Sequence, residues 1–158
     1  MIYSTATVPV NGANLVSLTG EQVWQALILK ARDARLFLPS GFCTKCEVIF
    51  EGQGYIIREA TILNDDITEI VTFEPKTKVS FHQVKGPREG VIVNEIIQDS
   101  AGAWSLKFYC YVGLRSSEPG GEAEKKEQSM LDSEDKGYKG ALVSTLAKTR
   151  ALVAGGKL

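Results

Sequence analysis

The hydrophobic pattern changes period twice along the chain. Residues 1–10 carry β-formers (Ile2, Tyr3, Thr5, Thr7, Val8, Val10), with Pro9 at a sheet edge or strand end, and Asn11-Gly12 breaks the run. Thr19-Gly20-Glu21-Gln22 reads as a capping box with Thr19 as N-cap. Val23, Trp24, Leu27, Ile28 and Ala31 then form one apolar stripe at helical spacing. Asp33 can cap a second short helical turn holding Leu36 and Phe37, which Pro39-Ser40-Gly41 stops. From Cys43 to Gly113 the pattern becomes six short β runs, at 43–51, 55–63, 67–74, 78–85, 90–98 and 104–113. Every break between them carries Gly, Pro, Asn or Asp, the residues that supply the backbone angles of tight turns. A strand about every ten residues predicts an antiparallel meander.

Residues 116–127 are polar and contain Pro119-Gly120-Gly121; a mobile loop is expected there, with the Lys/Glu run at 122–127 a solvated linker or a helix start. A long helix should come after it, because Leu131, Tyr138, Ala141, Leu142, Thr145, Leu146, Thr149, Leu152 and Val153 recur at steps of three and four. Gly155-Gly156 would end it. Gly137 and Gly140 weaken its middle by about 1 kcal/mol each relative to alanine. They mark a kink, a close approach to a ligand, or a helix that starts later. The order of strand, two short helices, six strands and long helix predicts one α+β domain over residues 1–158.

Composition adds limits. At 158 residues the chain can bury a core without metals or disulfides. The net charge of -1 gives no basic surplus for nucleic acid or an anionic membrane. No segment approaches the ~20 apolar residues of a membrane span. The first ten residues lack the features of a signal peptide. Three cysteines, an odd count, suit a reducing compartment, and a cytoplasmic protein is expected.

Alternation along the strands nominates the inward faces. In the last strand Trp104, Leu106, Phe108, Cys110 and Val112 share a phase, leaving Tyr109 and Tyr111 outward. Phe81 goes inward with Val79, and His82 outward. Three glutamates sit in an apolar phase: Glu59 with Ile57 and Leu63, Glu69 with Ile67, Val71 and Phe73, and Glu95 with Val91, Val93 and Ile97. Arg58 lies in the opposite phase to Glu59, so the two cannot both point in. An inward carboxylate is costly unless paired, and burial makes it a usable acid or base near neutral pH. Glu59, Glu69 and Glu95 are therefore the catalytic candidates. The plainer alternative places them near strand ends, paired with Arg58, Lys78 or Lys107.

Trp24, Phe81, Trp104, Phe108, Tyr138 and Leu142 are the candidate ligand contacts, the two tryptophans being equally suited to plain core. Tyr3, Tyr55 or Tyr138 could polarise a ligand oxygen. Cys43-Thr44-Lys45-Cys46 has the CxxC spacing, but a zinc site needs a second pair of ligands, and an extended strand would point the two sulfurs to opposite faces. No metal is expected. His82 has no Gly-x-Ser-x-Gly partner, and Gly52-Gln53-Gly54 has no helix after it and reads as a hairpin turn.

Several stretches are familiar beyond their pattern: Val8-Pro9-Val10-Asn11, Leu18-Thr19-Gly20-Glu21-Gln22-Val23-Trp24-Gln25-Ala26-Leu27, Lys30-Ala31-Arg32-Asp33, Phe37-Leu38-Pro39, Arg58-Glu59 and Glu69-Ile70-Val71-Thr72-Phe73-Glu74-Pro75. Over residues 1–113 the chain resembles the AtaL-like branch of the SRPBCC superfamily (Bet v 1-like, START-related). The resemblance implies a helix-grip fold, a seven-stranded antiparallel sheet curled around the last helix, with a ligand cavity between. It also implies fungal secondary metabolism, and it brings no agreed catalytic motif. Superfamily members include carriers of hydrophobic ligands, aromatases, cyclases and condensing enzymes, and fold alone does not choose among them. Three functions stand as expectations. The first is an isomerase or cyclase without cofactor, acting on a small hydrophobic, polyketide-like or peptide-derived molecule. The second is a non-catalytic carrier of an apolar molecule. The third is a protein-binding module with a filled interior.

Overall fold

The computed structural model describes residues 1–158. Seven strands, β1 (Ile2–Pro9), β2 (Cys43–Gly52), β3 (Tyr55–Ile62), β4 (Asp65–Glu74), β5 (Lys78–Lys85), β6 (Arg88–Gln98) and β7 (Trp104–Leu114), form one sheet. Its order is β1-β7-β6-β5-β4-β3-β2, with every neighbouring pair antiparallel. β2 to β7 are the expected meander, and β1 returns to close on β7, from Ile2 opposite Val112 to Pro9 opposite Ser105. Register shifts in β2 and at Thr68/Glu69 in β4 bend the sheet, as bulges do.

The first helix, α1 (Gly20–Arg32), starts where the capping box places it. The Thr19 side chain accepts from the Gln22 N–H and the Gln22 side chain accepts from the Thr19 N–H. Its apolar stripe buries Val23, Trp24, Ala26, Leu27 and Ala31. Asp33 caps the second short helical element, a single 3-10 turn, Ala34–Leu36.

The C-terminal part differs from the sequence expectation. Of the two readings for residues 122–127 the helix start holds: they begin a second helix, α2 (Glu122–Leu131), and the expected loop is confined to the residues before it. The long helix is α3 (Tyr138–Ala154), separated from α2 by residues 132–137. Glycine is needed at this junction for close approach of backbone. A Cβ on Gly137 would lie 2.0 Å from the Leu131 carbonyl oxygen, and one on Gly140 would lie 2.2 Å from that of Asp135. The helix thus starts later, with both glycines packed against backbone carbonyls.

α3 buries Leu142, Thr145, Leu146 and Thr149. The Thr149 hydroxyl donates to the Thr145 carbonyl at 2.7 Å, so its burial leaves no unpaired donor. On the sheet α3 packs chiefly against β1 and β7, and it touches α1. The main core lies between them, with Val8, Trp24, Leu27, Ile56, Val79, Leu106, Phe108, Leu142 and Leu146 in one cluster. Because the helix grips the β1–β7 side, the concave face of the middle strands is left for a cavity. The last strand alternates as expected: Leu106, Phe108, Cys110 and Val112 are buried, while Tyr111 is exposed.

The two cysteines of the CxxC stretch correct another expectation. The bulge between Cys43 and Lys45 turns both sulfurs to the buried side, where they pack with Ala34, Ala60 and Ile67. Both are free thiols, and no cluster of three or more His, Cys, Asp or Glu accompanies them.

Candidate functional site

A cavity of about 430 Å³ opens between the concave face of the sheet, the end of α1 and the start of α3. Of its 20 lining residues 11 are hydrophobic, so a ligand there meets mostly apolar wall with a few fixed polar groups. Leu38, Ile62, Leu63, Ile67, Phe81, Ile92, Phe108 and Leu114 supply that wall.

The polar groups come from the inward phases of neighbouring strands. Arg58 and Glu69 are cross-strand partners in β3 and β4 and are 5% and 4% exposed. Arg58 Nε donates to Glu69 Oε2 at 2.7 Å, and Nη2 lies 2.7 Å from the same oxygen. Both contacts use Oε2. Arg58 Nη1 turns to α1 and donates to the carbonyls of Ala31 (2.9 Å) and Lys30 (3.2 Å), capping orphan acceptors at that helix end. The guanidinium also stands 4.9 Å from the Phe81 ring centroid. Each guanidinium nitrogen of Arg58 thus has a partner, which is what a buried charge requires.

Beside this pair Lys30 reaches in from the last turn of α1. Its Nζ donates to Asn94 Oδ1 at 3.1 Å and lies 4.1 Å from the Phe108 ring centroid. Burial, helped by the nearby Arg58 charge and opposed by Glu69, lowers its pKa to about 7. The amine therefore loses and gains its proton near neutral pH.

At the mouth Arg88 on β6 pairs with Glu127 on α2, and Gln83 Oε1 accepts from the Arg88 N–H at 2.8 Å. Tyr138 sets its ring edge-on to Phe108, with centroids 6.5 Å apart at 90°. Burial first, then the Cys110 thiol beside it, pushes the Tyr138 phenol up, so it stays a neutral O–H donor.

The structure brings together Glu69, Phe81, Phe108 and Tyr138 of the sequence-nominated residues. It moves the others away. Glu59 is on the outer face, 3.2 Å from Lys45 Nζ, because β3 turns Ile56, Arg58 and Ala60 inward. Glu95 is also outward, opposite Lys78 and Lys107 and beside Tyr109, because β6 turns Asn94 and Ile96 inward. Trp24 is core, edge-on to Phe73 at 6.5 Å. Trp104 lies at the sheet end under Gly20, whose added Cβ would sit 2.7 Å from its ring. Leu142 is fully buried beneath α3, while its neighbour Ala141 faces the cavity. Sequence reasoning misses Lys30, Arg58 and Asn94 as site residues. A signal exists for Lys30, which continues the α1 stripe three residues after Leu27. Arg58 likewise shares the phase of Ile56.

Comparison with solved structures shows the same fold. The Zhui aromatase/cyclase from Streptomyces sp. R1128 superposes with a TM-score of 0.71 at 18% identity, covering 99% of this chain and 98% of that one. The di-domain ARO/CYC StfQ from the steffimycin biosynthetic pathway gives 0.65 at 10% identity, over 98% of this chain and 52% of that one. Ara h 8.0201 gives 0.59 at 8% identity, over 95% and 97%. At such identities the likeness is one of fold, here the helix-grip fold of Bet v 1-like proteins. No curated protein sequence matches the chain. A family model does match residues 4–156, and the chain therefore belongs to the AtaL family, described as acetylaranotin biosynthesis cluster protein L.

Proposed function

We propose that the protein binds a small, largely apolar carbonyl compound of secondary metabolism and rearranges it, as a cyclase or isomerase that needs no cofactor. One observation carries this reading: Lys30, Asn94 and the Arg58–Glu69 pair gather against the hydrophobic wall of a cavity of about 430 Å³. The family description, which names a biosynthesis cluster, and the names of the aromatase/cyclases sharing the fold support it.

The placement of these groups supports that chemistry. Closing a ring or moving a double bond beside a carbonyl requires loss of a proton from the adjacent carbon. Donors aimed at the oxygen make that loss easier, because negative charge develops there. The Tyr138 O–H, the Asn94 amide N–H and the charge of Arg58 favour such an oxygen. Glu69 is the proton acceptor in this reading, since Arg58 engages only its Oε2 and leaves Oε1 without a partner from that guanidinium. The apolar walls hold the chain of the substrate folded, which converts an encounter into an oriented one.

The test is turnover of short poly-β-carbonyl compounds, monitored by the appearance of cyclised product. Glu69→Gln should cut the rate by about 100-fold or more while leaving binding within a few-fold. Unchanged turnover in Glu69→Gln would remove the carboxylate from the reaction. Binding with no turnover in any variant would make the protein a carrier.

A further inference from the structure

Lys30 is the one lysine among the residues that line the cavity. Lys45, Lys78, Lys125 and Lys139 pair with carboxylates at the surface. Lys30 has no such partner, because the carboxylate beside it belongs to Arg58. The carbonyls at the end of α1 would normally favour a cation. Arg58 Nη1 takes those of Lys30 and Ala31 instead. What remains for the amine is one amide oxygen at 3.1 Å, one aromatic face and the open cavity.

We propose that Lys30 captures an aldehyde or unhindered ketone in the cavity as an imine. The nitrogen lone pair adds to the carbonyl carbon, the oxygen leaves as water with both amine protons, and a C=N bond replaces C=O. No oxidant, reductant or further reactant is needed. A free amine is required, and burial together with the Arg58 charge supplies one near neutral pH. Once its nitrogen takes a proton from solvent, the imine withdraws electrons more strongly than the carbonyl, which eases transfer of the adjacent proton to Glu69. The inference rests on the reading that a carbonyl compound occupies the cavity, and it narrows that compound to one whose carbonyl carbon can reach Lys30.

The experiment uses benzaldehyde with sodium cyanoborohydride, which fixes an imine as a secondary amine, and then peptide mass mapping. Benzyl alcohol, which has the same ring but forms no imine, is titrated in parallel and is expected to bind. At pH 7.5 a surface lysine of ordinary pKa has about one amine in a thousand unprotonated. Lys30 should therefore label more than about tenfold faster than lysines outside the cavity. Its rate should level off above about pH 7. Lys30→Met, which removes a buried charge and should fold, loses this labelling and still binds the alcohol. Labelling spread over surface lysines with Lys30 unmodified, while the alcohol still binds, overturns the imine and leaves the cavity reading standing. Failure of the alcohol to bind overturns both.

Discussion

Lys30 stands where the apolar stripe of α1 should continue, three residues after Leu27 and one before Ala31. Its cost to folding has a definite pH signature. The folded pKa is about 7 and the ordinary value 10.5, so between them the unfolded chain binds the extra proton. Stability must then rise as pH increases through that window and be lowest below it. Lys30→Met should flatten the rise and stabilise the protein most at pH 7 or below, as urea unfolding at several pH values would show. A wild-type stability that is level from pH 7 to 10 would contradict the assignment. The Arg58–Glu69 pair behaves differently. Arg58→Met strands a buried carboxylate and two helix-end carbonyls, and should cost about 3–5 kcal/mol in the same measurement. Glu69→Gln removes the one charge that holds the Lys30 pKa up, so the labelling midpoint of Lys30 should move further down.

At the scale of elements, legibility in the sequence depends on contrast between faces. The capping box at Thr19 and the turn residues between strands are legible, because each is a local chemical requirement. β4 and β7 are legible too, since Ile67, Val71 and Phe73 in β4 and Leu106, Phe108, Cys110 and Val112 in β7 share one face, with Thr68, Thr72, Ser105 and Lys107 on the other. β3 and β6 are not. Ile56 and Ile57 in β3, and Val91, Ile92 and Val93 in β6, put β-branched residues on both faces, so alternation there carries no sign. The inward placement of the glutamates at 59 and 95 rests on that ambiguous ground, and the structure turns Arg58 and Asn94 in instead. The bulge that brings Cys43 and Cys46 to one side is likewise invisible to a strict period of two. The α2–α3 junction offers a test at this scale. Alanine is a better helix former than glycine, yet Gly140→Ala would press a Cβ to 2.2 Å from the Asp135 carbonyl oxygen. It should destabilise by about 1–3 kcal/mol, as overpacking does. A gain of stability in denaturant titration would mean that the junction yields freely.

For the whole molecule, the position of α3 decides where a ligand can go. The helix seats Leu142 and Leu146 against the core beneath β1 and β7, which leaves the middle strands to line the cavity. Leu142 is nominated by the sequence as a ligand contact, but its complete burial makes it an anchor. Leu142→Ala should cost about 2–5 kcal/mol of stability. The central claim, that this cavity takes a small apolar carbonyl compound, is tested most directly by calorimetric titration with a bicyclic aromatic ketone. Wild type and Ile92→Trp, whose indole would fill part of the space, are compared. The account predicts one-to-one binding to wild type with a negative heat-capacity change, the mark of apolar burial, and binding weaker by about tenfold or more, or roughly 1.4 kcal/mol, in a folded Ile92→Trp. Equal affinity in the two proteins would place the ligand elsewhere and contradict it.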